Sequence, residues 1–395
     1  MKIDVVSKQK CTGCGACVSN CPKQCISMAR DNLDNVYPVI DSDACVECGL
    51  CLDNCPAEKP VKKNQPIKAY AGWNCDRKIR SSGASGGMAS GIYSFFQSKG
   101  YICYGVESDK GKSFFSKAGI NEDASLKFRN SKYVYTQVGE VIGDLASELK
   151  SGHKVCCIGL PCQIAAIRKS FEKRFSDSLF LVDIICHGVS SDEYLKQHIA
   201  SKSHGRVVQK VMFRNPLFDT EKFHFTLEDD KGVFYDKTPN QPDEYQLGYH
   251  KGIIYRDNCY NCNYACANRV GDVTIADYWG LGKTIPFEYD KANVNLVYAC
   301  TDKGLNELIE MVKAGYVDLV ERPVEESLKT QGQLNKPTPV TVRRKRFKKY
   351  YSETHDFDRA VFKAMYWDMK FIGRDAYTKI NTIRKIVKKL FKVEI

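Results

Sequence analysis

The feature that most constrains this chain is a doubled cysteine run, Cys11-x2-Cys14-x2-Cys17-x3-Cys21-Pro22 followed by Cys45-x2-Cys48-x2-Cys51-x3-Cys55-Pro56. Three thiolates two residues apart can curl around one face of an iron–sulfur cube. The fourth, followed by proline, points away and completes the other cube. The spacing therefore assigns Cys11, Cys14, Cys17 and Cys55 to one 4Fe-4S cluster, and Cys45, Cys48, Cys51 and Cys21 to its partner. Gly13, Gly15 and Gly49 suit backbone folded tightly around inorganic sulfide. Structural zinc is the competing occupant, but it favours two CxxC pairs over two runs that each end in Cys-Pro. Cys25 lies outside the pattern and reads as a packed thiol beside a cluster.

On these motifs residues 1–60 resemble the bacterial two-cluster ferredoxins. A chain of 395 residues is far longer than that module, so two or three domains are expected. Nineteen cysteines, eight of them claimed by the doubled run, suit a reducing cytoplasm better than a disulfide framework. The opening MKIDVVSKQK has no apolar signal-peptide core, and no run of 18 apolar residues occurs, so neither a leader nor a membrane span is expected. The net charge is +12, yet residues 341–395 alone carry 16 Lys and Arg against 6 Asp and Glu. The basic character belongs to a tail.

Ala57 to Pro66 reads as a polar, proline-marked linker. A strand is expected around Ala69–Trp73, then a small-residue loop from Arg80 to Gly87, a helix over Met88–Gln97, and a strand over Tyr101–Val106. Bare N–H groups at such a helix start form an anion site, and small residues let a phosphate approach; a plain surface turn is the alternative. Arg129 to Val134 reads as a basic turn before a strand, which could hold part of a nucleotide or simply face water.

Val155–Gly159 is an apolar run of strand length, Gln163–Phe171 carries helical periodicity, and Leu179–Ile185 is a second apolar strand. This βαβ unit implies parallel strands and a right-handed crossover. Cys162 and Cys186 each fall just past a strand's C-terminal end, so both belong on one sheet edge, where open α/β sheets bind ligands. Cys156 and Cys157 read as packing. Residues 205–256 suggest antiparallel strands, and Cys259-x2-Cys262-x3-Cys266 follows. These three thiols lack a local fourth, which Cys162 or Cys186 can supply. A third 4Fe-4S cluster, zinc and plain packing are the occupants weighed for the set.

Gly159-Leu160-Pro161-Cys162-Gln163-Ile164-Ala165-Ala166, Cys186-His187-Gly188-Val189, and Cys259-x2-Cys262 with the following Gly271–Asp277 strand resemble one known group. It is the family of beta subunits of coenzyme F-420 hydrogenases and dehydrogenases, which includes 7-hydroxymethyl chlorophyll a reductase. The resemblance covers residues 65–330. It implies a flavoprotein oxidoreductase with FAD beside a 4Fe-4S cluster, the Ser85-Gly86-Gly87 loop cradling the FAD phosphates, and Asn130, Ser131 and Lys132 as further FAD contacts. It favours Cys162, Cys186, Cys259 and Cys262 as cluster ligands, with Cys266 as a substitute for either edge cysteine. Unlike that family's pattern, this chain carries its ferredoxin module fused to the N-terminus.

The expected fold class is α+β and multidomain: a ferredoxin-like module (1–60), an FAD-binding domain (65–150), a third-cluster domain (151–330), a partly parallel sheet, and a basic helical tail (335–395). The expected function passes electrons from a ferredoxin-like donor through the clusters to FAD and a small organic acceptor. His187 and Asp183 are the candidate proton-handling groups, with a hydrogen bond to cluster sulfide and a structural carboxylate as the respective alternatives. The alternatives for the whole are a non-catalytic electron-transfer subunit, or an enzyme acting on coenzyme F-420 itself. Ile380, Ile383, Val387, Leu390 and Phe391 fall at helical spacing opposite Lys and Arg, which suits an anionic membrane surface or an acidic partner; a packed helix is the alternative. Nucleic acid is not an expected partner, since no basic–aromatic groove is legible.

Overall fold

The structure, a computed structural model, describes residues 2–3 and 6–372. The N-terminal module is built from two copies of one unit, 34 residues apart. Each cysteine run enters a single helical turn, α1 (Ala16–Ser19) or α2 (Leu50–Asp53), through a left-handed glycine, Gly15 at φ 79° or Gly49 at φ 76°. Asn20 and Asn54 close the two turns alike, donating from Nδ2 to Ala16 O and Leu50 O. Between the copies, β1 (Ile26–Arg30) and β2 (Val36–Ile40) form an antiparallel hairpin.

The linker is pinned. Asn64 exchanges two backbone hydrogen bonds of 2.8 Å with Arg269, and Lys63 donates to Asn263 O at 2.7 Å. Next come β3 (Lys68–Asn74), α3 (Arg77–Ser82), α4 (Met88–Ser98), β4 (Ile102–Asp109), β5 (Lys112–Ala118), α5 (Ala124–Lys127) and α6 (Gly139–Lys150). The loop expected from Arg80 is shorter than its composition suggests, because Asp76 caps α3 and draws Arg80–Ser82 into a helix. The strand expected at Val134 does not form; that stretch instead runs beside residue 190, with Tyr135 N–H donating to Ser190 O.

β6 (Val155–Gly159), α7 (Pro161–Phe175) and β7 (Leu179–Ile184) form the expected parallel crossover unit, with β6 buried along its whole length. Proline at the first position of α7 and Gln163, which accepts from Leu160 N–H, fix where that helix starts. After α8 (Asp192–Ser203), β8 (Lys210–Met212), β9 (Phe225–Asp229) and β10 (Gly232–Lys237) make a separate antiparallel sheet. α9 (Glu244–His250), β11 (Val273–Asp277), β12 (Asn295–Ala299), α10 (Asp302–Lys313), β13 (Val317–Arg322) and α11 (Val324–Thr330) follow. The chain then ends its described part in α12 (Val342–Thr354), α13 (Phe357–Ala364) and α14 (Tyr366–Phe371).

The main sheet has eight strands in the order β13-β3-β12-β11-β7-β6-β4-β5. Its central strands β11, β7, β6 and β4 are parallel, and β3 is antiparallel to both its neighbours. One edge therefore collects the C-terminal ends of β3, β11, β7, β6 and β4. One face of the sheet carries α4, whose Met88, Ile92, Tyr93, Phe95 and Phe96 are buried, each contributing roughly 1.5–3 kcal/mol. The other carries α6 and α7, where Leu145, Ile164 and Ile167 pack on Val155 and Leu181. The segment Ile380–Phe391, expected as a basic amphipathic helix, lies outside the described residues. Among the described residues no helix is long and apolar enough to cross a membrane.

Candidate metal centre and cofactor site

In the first cysteine run the loop is clamped from outside. Tyr135 donates its hydroxyl to Gly13 O, Gly139 N–H donates to Cys14 O at 2.7 Å, and Ser19 Oγ donates to Gly139 O at 2.7 Å. Cys11 and Cys17 are buried. Burial raises the Cys17 thiol well above its ordinary value, with Cys14, Cys11 and Cys55 adding to the effect, so these four sulfurs lie together as the spacing requires. The second group also converges: Cys21, Cys45, Cys48 and Cys51 line one open cavity of about 370 Å³. Cys25 is buried 3.5 Å from Cys21, a thiol beside the site.

The third thiol set lies where the crossover unit points it. Cys162 sits in the first turn of α7, just past β6, and Cys186 just past β7. Cys259 and Cys262 arrive on the turn after Tyr255. All four line a single cavity that opens to solvent, together with His187, Asn258, Tyr264 and Cys14. Burial pushes the Cys259 thiol up to about 11, and burial followed by the neighbouring thiols Cys186, Cys262 and Cys259 raises Cys162 as well. Four thiols this crowded stay protonated unless a cation holds them, so the donor set fits an all-thiolate metal centre. Buried Asn258 Oδ1 has no partner. Cys266 stands apart from the cavity lining: its sulfur faces Asn268 O at 3.3 Å, Lys63 Nζ at 3.5 Å and Asn263 O at 3.6 Å.

The proposed proton-handling pair separates. His187 lines the cavity wall, where desolvation lowers its pKa and Asp277 acts the other way. Asp183 is fully buried. Its Oδ1 accepts from Arg269 Nε and Nη2 and from Thr274 Oγ1, and its Oδ2 from the backbone of Val270 and Gly271. With its lone pairs spent on five donors, Asp183 anchors the turn that leads into β11, and it lies off the cavity. That setting gives no support to the proton-handling role expected of it.

The two segments expected to hold FAD meet, since Arg129 Nη1 donates to Ser82 Oγ at 3.2 Å. Ser85 Oγ donates to Val294 O, and Met88 N–H is capped by Asn295 Oδ1. A Cβ on Gly86 would lie 2.8 Å from Gly72 O and 2.9 Å from Asn295 N. That glycine is therefore explained by the loop's packing on β3 and β12. The signs of a missing polar ligand lie opposite, where Arg129 Nε and Asn130 Oδ1 are buried without partners. Burial also pushes Lys132 down to about 7, although Glu107 opposes this. Lys132 Nζ donates to Phe128 O and Arg129 O, and Ser131 is half-buried beside it. These groups fit an anionic, hydrogen-bonding cofactor.

Sequence reading missed three features. The cavity's use of Cys14, already a candidate ligand of the first ferredoxin cluster, has no local signal because it depends on docking. Arg256, sealed between the first run and the third thiol set, is a lone arginine in sequence. An aromatic group also escaped notice: Phe223 stacks on Trp279 at 6.0 Å, Tyr133 on Tyr249 at 4.9 Å, and Arg214 lies 4.5 Å over Phe223 while pairing with Asp277 at 2.6 Å.

A dicluster module docked against an α/β body, with a further thiol set at the junction, defines an iron–sulfur electron-transfer protein. Residues 10–59 match the 4Fe-4S dicluster domain, and residues 152–325 match the family described as the C terminus of the coenzyme F420 hydrogenase/dehydrogenase beta subunit. The chain thus joins a stretch that matches a 4Fe-4S dicluster domain to one that matches the C terminus of that beta subunit. Among solved structures, a chain of the F420-reducing [NiFe] hydrogenase complex from Methanosarcina barkeri, determined as a xenon derivative, is similar at 15% identity. The match covers 76% of this chain and 92% of that one, with a TM-score of 0.45. No curated protein matches the chain.

Proposed function

We propose that this protein is an iron–sulfur flavoprotein oxidoreductase, carrying electrons between a ferredoxin-like partner protein and a small organic acceptor. The observation that carries the reading is the shared position of Cys14, which belongs to the first ferredoxin run and lines the cavity of Cys162, Cys186, Cys259 and Cys262. A module whose buried end opens onto the third thiol set has a built path inward. When bound, the clusters would supply one-electron carriers, and FAD the conversion to two-electron chemistry.

In this reading Cys162, Cys186, Cys259 and Cys262 hold a third 4Fe-4S cluster, and Cys266 fixes the 263–269 turn instead of ligating. Ser85, Gly86, Gly87, Asn130, Ser131 and Lys132 form the FAD wall, with Arg129 and Lys132 balancing phosphate charge. His187, at the cavity wall, holds or passes a proton during the two-electron step. The working division is 1–60 for electron entry, 65–150 for FAD, 151–330 for the third cluster and 335–395 for the C-terminal end.

The test is an iron, sulfide and flavin assay on anaerobically purified protein. About twelve irons and one FAD per chain support the reading, a total set by three cubes. About eight irons without flavin would overturn the enzyme and leave an electron-transfer subunit. The matched family's name makes coenzyme F420 the first acceptor to add. A coenzyme whose absorbance never changes with the reduced protein removes it as substrate.

A further inference from the structure

We infer that Arg256 is a buried positioning cation that sets the reduction potentials of the two iron–sulfur sites it separates. Arg256 is 1% exposed, and its guanidinium is held between the rings of Tyr37 at 4.9 Å and Tyr135 at 4.6 Å. Nη2 donates to Val36 O at 2.8 Å, while Nε and Nη1 are buried without a partner. A Cβ on Gly13 would fall 2.6 Å from Nη2, so the loop between Cys11 and Cys14 closes directly over the charge. On the other side, Arg256 O accepts from Cys259 N–H at 3.0 Å.

Among the described residues no carboxylate pairs with Arg256. Its neighbour Asp257 is taken by Arg344 at 3.0 Å and Lys348 at 2.9 Å. An isolated buried guanidinium is costly unless a counter-charge stands nearby. A 4Fe-4S core with four thiolates is a net anion, and it becomes more negative when reduced. A fixed cation beside it therefore favours the reduced state and raises the potential. Cys11 and Cys259 are the thiols within its electrostatic reach. The Cys21/Cys45/Cys48/Cys51 site is not among its contacts and serves as an internal control.

The inference rests on the proposed third cluster for one of its two sites and on the ferredoxin run for the other. An EPR-monitored redox titration of the full chain tests it. Arg256→Gln is expected to lower the reduced-to-oxidised ratio of the first-run cluster and the third cluster at least tenfold at a fixed potential, about 59 mV for a one-electron couple. The second-run cluster stays unmoved, and Arg256→Lys, which keeps the charge, restores most of the shift. Unchanged potentials in Arg256→Gln overturn the inference. So does loss of iron in both variants, which marks a purely structural arginine. Eight irons in the unmodified protein would instead count against the third cluster, and the shift would then be read on the first-run cluster alone.

A separate surface carries a second proposal. On α13 and α14 the inward residues Phe357, Ala360, Val361, Ala364, Met365 and Met369 are buried, while Phe362, Tyr366 and Trp367 are 41%, 40% and 54% exposed. Arg359, Lys363 and Lys370 lie exposed on the same outward stripe, and Lys345, Arg346 and Lys349 are exposed on neighbouring α12. We propose that this stripe docks on an anionic lipid surface, its aromatic rings at headgroup level and its cations on phosphate. The chain's own residues 373–395 are the competing cover. They add seven Lys and Arg against two Asp and Glu, so folding them over the stripe would stack like charges, whereas a polyanionic surface satisfies both.

Co-sedimentation of the full chain with phosphatidylcholine vesicles, and with vesicles containing phosphatidylglycerol, tests this. Binding is expected only to the anionic vesicles, to fall with salt, and to drop at least tenfold in the doubly substituted Phe362→Ser, Trp367→Ser chain at unchanged iron content. Equal recovery with both vesicle types, or full binding by the substituted chain, would overturn it.

Discussion

The two cysteine runs share one pattern, one helical turn and one left-handed glycine, yet they meet opposite surroundings. The first is clamped by Tyr135, Gly139 and Arg256 and opens inward onto the third thiol set. The second keeps Cys48 exposed, between Val46 at 58% and Leu50 at 41% exposure. Identical ligand chemistry has thus been given a dry end and a wet end. The difference gives the module a polarity that neither run possesses alone: the second run faces solvent at Cys48, and the first faces the body's thiol set through Cys14.

The sharpest way to break the comparison is to remove what the inner end faces. Cys162→Ser should take the iron content from about twelve to about eight per chain, three cubes to two, and abolish delivery to the acceptor while both N-terminal clusters persist. Retention of twelve irons would return Cys266 to the ligand set. Next in size is oxidative loss. Exposed to ferricyanide, the second-run cluster should decay severalfold faster than the first, followed by EPR, because solvent reaches Cys48; equal decay would deny the wet and dry ends.

The equivalent glycines give a finer test. A Cβ at Gly15 would lie 2.7 Å from Gln137 Nε2, whereas at Gly49 it meets nothing within 4 Å. Gly49→Ala should cost only the left-handed strain, about 1–2 kcal/mol, and Gly15→Ala somewhat more, because the Gln137 side chain must also shift. Chemical unfolding under anaerobic conditions measures both, and equal costs would contradict the docking.

The smallest effect concerns the seat of the first run's hairpin. Tyr194 donates to Leu33 O and Ser191 to Asp34 O, both at 2.6 Å, from a helical layer tied by His198 between Asp243 and Asp358. Burial alone would lower the His198 pKa, but Asp243 and then Asp358 push it up to about 9, and Asp243 is held down to about 2. A raised histidine stabilises fully below its unfolded value near 6.5 and loses that contribution as pH climbs through about 9. The Asp243 contribution is present above its unfolded value near 3.8 and fades as pH falls towards 2. The Tm should therefore decline by a few degrees between pH 6.5 and 9.5, and that slope should flatten in His198→Gln. A slope unchanged by the substitution would place the titration elsewhere.

Much of this was legible because its causes are local. Val155–Gly159 and Leu179–Ile184 are continuous apolar runs joined by a helix with a proline start, so the parallel crossover and the shared edge of Cys162 and Cys186 followed from pattern alone. The loop before Met88 was legible as a turn, but its glycines were explained only when Gly72 and Asn295 were seen against them. Asp183 looked available in sequence. Its five donors come from residues 269–274, some ninety positions away, and no local pattern announces them. The strand expected at Val134 failed for a related reason: Tyr135 spends its N–H on residue 190 and its hydroxyl on the ferredoxin loop.

By itself the sequence determined the two cysteine runs of a dicluster module, the thiols offered to a third site, and a basic C-terminal end. Cysteine spacing and apolar periodicity act over a few residues, and each is fixed by bond lengths and helical or strand repeat. Tertiary structure decided which run faces inward, that Cys14 opens onto Cys162, Cys186, Cys259 and Cys262 while Cys266 turns aside, and that Arg256 is sealed between two thiol sets. Those outcomes depend on long-range docking, where burial, close approach and unpaired charge are weighed among residues hundreds of positions apart.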